Sequence, residues 1–117
     1  PFHSLYKQRL LDAGDTETLI LGRSVGQVRR VLKAPYAARI IDLEQSGLAS
    51  EQYRDMTSED HHIAGAIQGD VENGFMNSGQ VAGLIEHIPT VKELLDGMMN
   101  DARKQMEDRL SSFPVML

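Results

Sequence analysis

Residues 69–85, GDVENGFMNSGQVAGLI, are the most informative stretch of this chain. The first six residues have the Gly, Asp and Asn content that is typical of a turn. We predict that a helix follows from Met76 to Ile85, although Gly79 and Gly83 each cost a helix about 1 kcal/mol relative to alanine. The two glycines therefore indicate close approach by another backbone or by a ligand.

The start of this predicted helix is a candidate ligand site. Small residues there would leave the first backbone N–H groups accessible, and such groups attract anionic or electron-rich ligands. Gln80 could reach a carbonyl or amide edge of a ligand, and Met76 could lie on an aromatic face. The alternative is a glycine-mediated helix crossing in a hydrophobic core, which the residue types alone favour.

In the rest of the chain, the positions of capping residues, proline and glycine predict a mainly helical fold. Pro35 and Gly47 are suited to the first turn and the end of one helix. Ser4 is a predicted N-cap, and Thr57 with Asp60 fits a capping box. The predicted helices cover about residues 4–13, 35–47, 50–55, 57–68 and 90–110.

The last predicted helix opens with a capping box of Thr90 and Glu93. Its apolar positions recur at helical spacing and predict a buried face. The apolar tail, residues 114–117, lies outside the residues that the structure describes. The predicted face consists of Val91, Leu94, Leu95, Met98, Met99 and Ala102.

Residues 18–25, TLILGRSV, predict the only strand. A strand without a partner exposes backbone hydrogen-bonding groups, so we expect missing sequence to supply the neighbour. The first residue, Pro1, is consistent with a truncated or processed start.

Composition places limits on function. The 117 residues are 41% hydrophobic and 25% charged, as expected for one globular domain. Absence of Cys excludes disulfides, thiol nucleophiles and thiolate metal sites. The net charge of −5 argues against nucleic-acid binding. No signal peptide or membrane span is visible, so we expect a cytoplasmic protein without a membrane partner.

Titratable residues give weak candidates for chemistry. Asp70 and Glu72 could form an acid–base pair, but the turn-forming role is favoured. His61 and His62 are adjacent, so they point about 100° apart and predict a solvated helix start rather than a metal face. We therefore predict no catalytic and no metal-binding residue. A basic stretch could bind phosphate or form a solvated or internally paired face, and it contains Arg23, Arg29, Arg30, Lys33 and Arg39.

The order of several motifs resembles a known family. GDVENG followed by GQVAGLI resembles the C-terminal part of the nitronate monooxygenase (2-nitropropane dioxygenase-like) family, which also includes flavin-dependent enoyl-ACP reductases. His3, Tyr6 and Lys7 resemble its H-x-x-Y-K element. Residues 15–33 and 34–47 resemble its extended segment and the helix that follows.

This resemblance implies the C-terminal portion of an FMN-dependent TIM-barrel (α/β) oxidoreductase. Residues 1–13 would end a barrel segment, 14–73 would form a mostly helical substrate-side insertion, and 74–117 would hold the last barrel-associated helix and the tail. The family's flavin-phosphate loops and catalytic His lie in a barrel of about 250 residues, so the piece is expected to be inactive alone and to bind FMN weakly or not at all. The residues that the resemblance places beside FMN are Met76, Asn77, Ser78, Gly79 and Gln80.

Three functions remain open at this point. The first is nitronate oxidation with O2, and the second is NAD(P)H-dependent reduction of an enoyl thioester. The third, from another class, is a non-catalytic helical module that binds a partner or a second copy of itself. The upstream sequence would separate the enzyme interpretations from the module.

Overall fold

The computed structural model describes residues 1–113 and shows the mainly helical fold that the sequence predicts. Contacts divide the chain into two compact units, residues 1–87 and the segment from residue 88 onward. The regular elements are α1 (Ser4–Asp12), β1 (Thr18–Leu21), β2 (Arg29–Leu32), α2 (Pro35–Gln45), α3 (Ser50–Met56), α4 (Glu59–Ala66), a 3-10 helix (Gln80–Leu84) and α5 (Val91–Ser112).

The predicted strand has a partner within the chain, so the expectation of an unpaired strand is wrong. β1 and β2 form an antiparallel hairpin in which Thr18 faces Leu32 and Leu21 faces Arg29. The sequence of β2, RRVL, does not predict a strand, because two arginines precede its two buried residues and apolar and polar residues do not alternate. Because β1 pairs within the chain, it requires no strand from outside these residues.

Buried aliphatic and aromatic side chains between the hairpin and α2–α3 form the core of the first unit. The phenol of Tyr36 donates to Met56 O at 2.8 Å, and that of Tyr53 donates to Gln27 O at 2.9 Å, so both buried tyrosines satisfy their polar ends. The cluster consists of Leu21, Val31, Tyr36, Ala37, Ile40, Leu48, Tyr53 and Phe75.

The predicted first turn and end of α2 are confirmed. Pro35 occupies the first turn, where its missing N–H costs nothing. Gly47 follows the helix with a φ of +95°, a left-handed conformation that glycine adopts without a Cβ penalty.

Two predicted N-caps are wrong. The Nδ1 atom of His3, one residue before Ser4, accepts from Leu5 N at 3.0 Å and caps α1. The hydroxyl of Thr57 donates back to Tyr53 O at 2.8 Å at the end of α3, so it is not available to cap α4. Ser58 takes the N-cap position of α4, without a side-chain cap bond.

The capping box at α5 is confirmed, but the predicted burial of its apolar face is wrong. Thr90 N donates to Glu93 Oε2 at 2.7 Å, and Glu93 N donates to Thr90 Oγ1 at 3.2 Å. The spacing predicts an apolar stripe, whereas burial also requires a neighbour. All six residues of the predicted face are exposed, including Val91, Leu94, Leu95, Met98 and Met99 at 49–74%.

Candidate functional site

The segment from Met76 to Gly79 is extended, so the predicted helix from Met76 is wrong. Asn77 forms an antiparallel bridge with Val31 at the second edge of β2. Leu32 N donates to Met76 O at 2.9 Å, and Ser78 N donates to Arg30 O at 3.0 Å. The edge of β2 offers unpaired backbone groups, and the segment satisfies its own backbone by pairing with them.

A helix begins only at Gln80 and is a single 3-10 segment ending at Leu84. The prediction of a helix N-terminus with free N–H groups at residues 76–79 is therefore wrong. Any ligand contact in this segment comes from an extended strand-like backbone and its side chains.

Met76 and Asn77, the first two residues predicted to lie beside the cofactor, are fixed by contacts within the first unit. The side chain of Met76 is fully buried among Ala13, Leu32 and Ala82. The phenol of Tyr6, on α1, donates to Asn77 O. Burial raises the pKa of Tyr6, which keeps this donor protonated near neutral pH.

Of the next three residues, Gly79 and Gln80 are exposed and Ser78 is half-buried. The Oγ atom of Ser78 is buried and has no hydrogen-bond partner among the described residues. Nothing lies within 4 Å of the position that a Cβ would take at Gly79, and Gln80 is exposed. A buried hydroxyl without a partner is unfavourable, so a hydrogen bond from Ser78 to a polar ligand atom would stabilise the complex.

Close approach at the glycines is confirmed for Gly83 but not for Gly79. A Cβ at Gly83 would lie 2.5 Å from Asp15 Oδ1 and 3.0 Å from Asp15 N. The neighbour of Gly83 is thus the turn after α1, a part of this same chain.

The turn before the segment is built by Asp70, as the turn-forming interpretation predicts. Its carboxylate accepts from Glu72 N at 3.0 Å, from Asn73 N at 3.1 Å and from Asn73 Nδ2 at 2.8 Å. These bonds, the Asn73 side chain foremost, lower the pKa of Asp70. A carboxylate held in this way is ionised and structural.

His61 and His62 lie near the start of α4 and are partly exposed, as the solvated helix start predicts, but each also makes an aromatic contact. His61 stacks on Tyr36 with ring centroids 5.2 Å apart, and its Nδ1 lies 2.8 Å from Asn73 O. His62 packs against Phe75 at 5.5 Å. Within residues 1–113, no group of three or more His, Cys, Asp or Glu side chains is arranged to hold a metal ion.

Arginines of the basic stretch do not gather into one patch. Arg29 lies over the ring of Phe75 at 4.9 Å, and Arg30 Nη1 donates to Thr18 Oγ1 at 2.8 Å. Arg39 donates to the carbonyl of Glu72. Successive strand residues point to opposite faces, which separates the first two guanidinium groups. These three arginines fit the internally paired alternative rather than a phosphate site.

Glu44 is an organising residue that sequence reasoning missed. Its carboxylate accepts from Gly22 N at 2.6 Å, from Ser24 N at 3.2 Å and from Ser24 Oγ at 2.8 Å. Partial burial raises the pKa of Glu44, but these hydrogen bonds outweigh it and hold the pKa below its usual value. The glycine-rich loop after β1 was the available signal, because its free N–H groups need an acceptor.

Comparison of the fold identifies a solved relative. Residues covering 97% of the chain superpose on 35% of FabK from Thermotoga maritima, with a TM-score of 0.81 and 26% sequence identity. The fold of this chain is similar to about a third of FabK. A mutant of the same FabK matches 96% of the chain and 32% of its own length, with a TM-score of 0.74 and 24% identity.

Among the curated relatives found by sequence comparison, two are named (3aS,4S,5R,7aS)-5-hydroxy-7a-methyl-1-oxo-octahydro-1H-indene-4-carboxyl-CoA dehydrogenase. The protein from Rhodococcus jostii is 43% identical over 44 residues, 38% of this chain and 12% of its own length. That from Mycobacterium tuberculosis is 29% identical over 89 residues, 68% of this chain and 24% of its own length. The chain thus spans a quarter or less of these curated relatives.

No protein-family model matches the chain. Within the part of the chain that the structure describes, no helix is both long and apolar enough to cross a membrane.

Proposed function

We propose that this chain is part of an FMN-dependent oxidoreductase that acts on an acyl thioester. The observation that carries the proposal is the match of 97% of the chain to FabK, an enoyl-ACP reductase. The two curated relatives are named as dehydrogenases of a carboxyl-CoA compound. These likenesses favour the thioester alternative over nitronate oxidation, which stays the competing hypothesis.

The segment Met76–Gln80 is the proposed flavin-facing wall. The unpartnered Ser78 hydroxyl and the open space at Gly79 fit a flat polar ring system that approaches the backbone closely. Met76 would contribute through packing beneath the wall, because its side chain is buried. When bound, FMN supplies the two-electron redox chemistry, and the protein supplies binding and orientation.

Several groups of this chain would position the wall and bind the flavin. Tyr6 fixes the Asn77 carbonyl, and the pairing with Arg30 and Leu32 fixes the backbone on either side of it. Rotation of the half-buried Ser78 side chain would present its hydroxyl to a ligand. We assign no catalytic residue here, because the active site of a TIM barrel is built from loops of several strands.

The test is expression of the longer reading frame that contains this chain. We expect a bound flavin spectrum and NAD(P)H-dependent reduction of an enoyl thioester. A longer product that carries no flavin would overturn the proposal. Oxygen-dependent turnover of a nitronate, without thioester reduction, would favour the competing hypothesis instead.

The 117-residue chain alone should bind FMN weakly or not at all, because the resemblance places the flavin-phosphate loops elsewhere. Fluorescence titration of FMN with the purified chain measures this directly. Binding at micromolar concentration or tighter would contradict the assignment of the main flavin contacts to the rest of a FabK-like fold.

A second candidate function, a helical interaction module, is favoured by one observation. α5 has no buried residue, and its apolar side chains all lie exposed. Contiguous apolar surface on a folded protein commonly marks an interaction site. Light scattering on the purified chain would show whether this face joins two copies, and a monomer at all concentrations would argue against self-association.

A further inference from the structure

The dipeptide Asn73–Gly74 ends the turn that precedes the extended segment. Asn73 is exposed, whereas Gly74 is buried. An asparagine followed by glycine is a reactive setting for loss of the side-chain amide, because no Cβ shields the next backbone nitrogen. Within residues 1–113, Gly74 N donates no hydrogen bond, so no acceptor restrains it. The sequence thus places a chemically labile pair of residues at this turn.

Close packing against α4 requires the glycine of this pair. A Cβ at Gly74 would overlap Gly65 N and His61 O. The next residue, Phe75, is fully buried, and Phe75 N donates to His61 O at 3.2 Å. Because added side-chain atoms at Gly74 would push the turn away from α4, the fold retains the labile pair.

The carboxylate of Asp70 holds the asparagine of the pair. Asp70 Oδ2 accepts from Asn73 Nδ2 at 2.8 Å, and Asp70 Oδ1 accepts from Asn73 N at 3.1 Å. We call these two hydrogen bonds the Asp70–Asn73 clamp. His61 Nδ1 lies 2.8 Å from Asn73 O and donates to it, since a carbonyl oxygen only accepts. The side-chain amide, the N–H and the carbonyl of Asn73 are therefore all engaged.

Deamidation requires the side-chain carbonyl carbon of Asn73 to meet the backbone nitrogen of Gly74. Gly74 N bonds to Asn73 Cγ, the bond from Cγ to Nδ2 breaks, and Nδ2 leaves as ammonia with the proton of the Gly74 N–H. Water then opens the cyclic imide at either carbonyl, which gives aspartate or isoaspartate. The reaction needs no reactant besides water, so its rate depends on how often the two atoms reach each other.

The Asp70–Asn73 clamp opposes this reaction in two ways. It holds the Asn73 amide at the Asp70 carboxylate, which restricts the rotation that brings Cγ to Gly74 N. An amide N–H that donates to a carboxylate also makes its carbonyl carbon less electrophilic, because electron density moves into the amide. Both effects disappear whenever the turn opens locally.

We propose that Asn73 is a self-modification site, a deamidation site that Asp70 keeps closed in the folded chain. Opening of the Asp70–Asn73 clamp permits isoaspartate to form. Isoaspartate adds a methylene group to the backbone beside the buried Phe75 and places a second negative charge next to Asp70. The product should therefore hold the turn less firmly. This inference does not depend on the flavoprotein proposal.

Peptide mapping by mass spectrometry tests the site on the purified 117-residue chain during incubation at mildly alkaline pH. The wild-type chain unfolded in guanidinium chloride should form two Asn73 products of equal mass that separate by chromatography, the aspartyl and isoaspartyl peptides. The folded wild-type chain should react at least about tenfold more slowly. No reaction in the unfolded chain, or equal rates in the folded and unfolded chains, would overturn the proposal.

Asp70→Ala removes the clamp and should raise the rate at Asn73 in the folded chain at least about tenfold. Asp70→Ser, which keeps a short oxygen acceptor for the backbone N–H groups, serves if circular dichroism shows that Asp70→Ala does not fold. Ser24→Ala is the matched control, because it removes a hydrogen bond to Glu44 in another loop and should leave the rate unchanged. Unchanged rates in the Asp70 variants, or an equal rise in Ser24→Ala, would contradict the clamp.

The structural consequence is measured on the separated isoaspartyl chain. It should unfold at a lower guanidinium chloride concentration than the unmodified chain. Asn73→Asp carries the same added charge on a normal backbone, so it separates the effect of the charge from that of the added methylene group. An isoaspartyl chain as stable as the unmodified one would contradict the predicted loosening of the turn.

Discussion

The phenol of Tyr6 donates a hydrogen bond to the backbone carbonyl of Asn77, 71 positions later in the chain. This contact joins α1 to the extended segment of the proposed flavin wall. Since Asn77 also bridges Val31, three parts of the first unit meet at one backbone position.

Tyr6→Phe should lower the free energy of unfolding by about 1–2 kcal/mol, because it leaves a partly buried carbonyl without its donor. Urea unfolding measures the loss, and amide exchange at Ser78 should become faster. Phe2→Leu alters the ring that packs 5.4 Å from Tyr6 but keeps the hydroxyl. If Phe2→Leu accelerated exchange at Ser78 as much as Tyr6→Phe does, the hydrogen bond would not be the cause.

Ser78→Ala should leave the stability of this chain unchanged or raise it by up to about 1 kcal/mol, because the hydroxyl it removes has no partner. The same substitution in the longer protein should weaken flavin binding. Ser24→Ala is the control, since that hydroxyl donates to Glu44, and it should destabilise by roughly 0.5–1 kcal/mol. A loss of stability in Ser78→Ala comparable to that in the control would show that the hydroxyl has a structural partner.

Glu44 should make stability depend on pH. The pKa of Glu44 is lower in the folded than in the unfolded chain, so its contribution is complete above the unfolded pKa and is lost as the pH falls through the folded pKa. Glu44→Gln should therefore destabilise at pH 7, by less than about 1 kcal/mol at this accessible site, and should have a smaller effect at pH 3.

Urea unfolding at the two pH values measures this difference. Glu86→Gln, at an exposed acid outside the regular elements, is the control and should show little change at either pH. An effect of Glu44→Gln that is as large at pH 3 as at pH 7 would contradict a role for the ionised carboxylate.

Gly65→Ala should destabilise by about 2–4 kcal/mol, because the added methyl group would meet the rigid backbone of the turn. The new Cβ would lie 2.3 Å from Phe75 O. Gly97→Ala, in open space within α5, should instead add up to about 1 kcal/mol of helix stability. Thermal unfolding followed by circular dichroism distinguishes the two, and a neutral Gly65→Ala would show that α4 and the turn can separate.

Local sequence was sufficient for several elements. Pro35 and Gly47 delimit α2, and Thr90 with Glu93 begins α5, because caps and turns depend on residues within a few positions of one another. The turn at Asp70 was predicted for the same reason. The order of the motifs resembles the C-terminal portion of a TIM-barrel oxidoreductase, and the fold of the chain matches about a third of FabK.

The conformation of the proposed flavin wall could not be read from its own residues. Residues 76–79 follow a helical pattern in the sequence, yet they pair with β2 because the open edge of Val31 lies beside them only after folding. β2 is not predicted from its sequence, because it begins with Arg29 and Arg30. Their partners, Phe75 for Arg29 and Thr18 for Arg30, are known only from the structure. The hydrogen bonds that fix residues 76–79 come from Arg30 and Leu32, which are distant in the sequence, so the local pattern does not indicate them.

The sequence by itself determined the helices with their own caps, the Asp70 turn and the apolar stripe of α5. Only the tertiary structure decided the pairing of the hairpin, the extended form of residues 76–79 and the contact of Tyr6 with Asn77. It also decided that the α5 stripe is exposed in this chain. Caps and periodicity are local properties, whereas strand pairing and burial depend on which surfaces meet after folding.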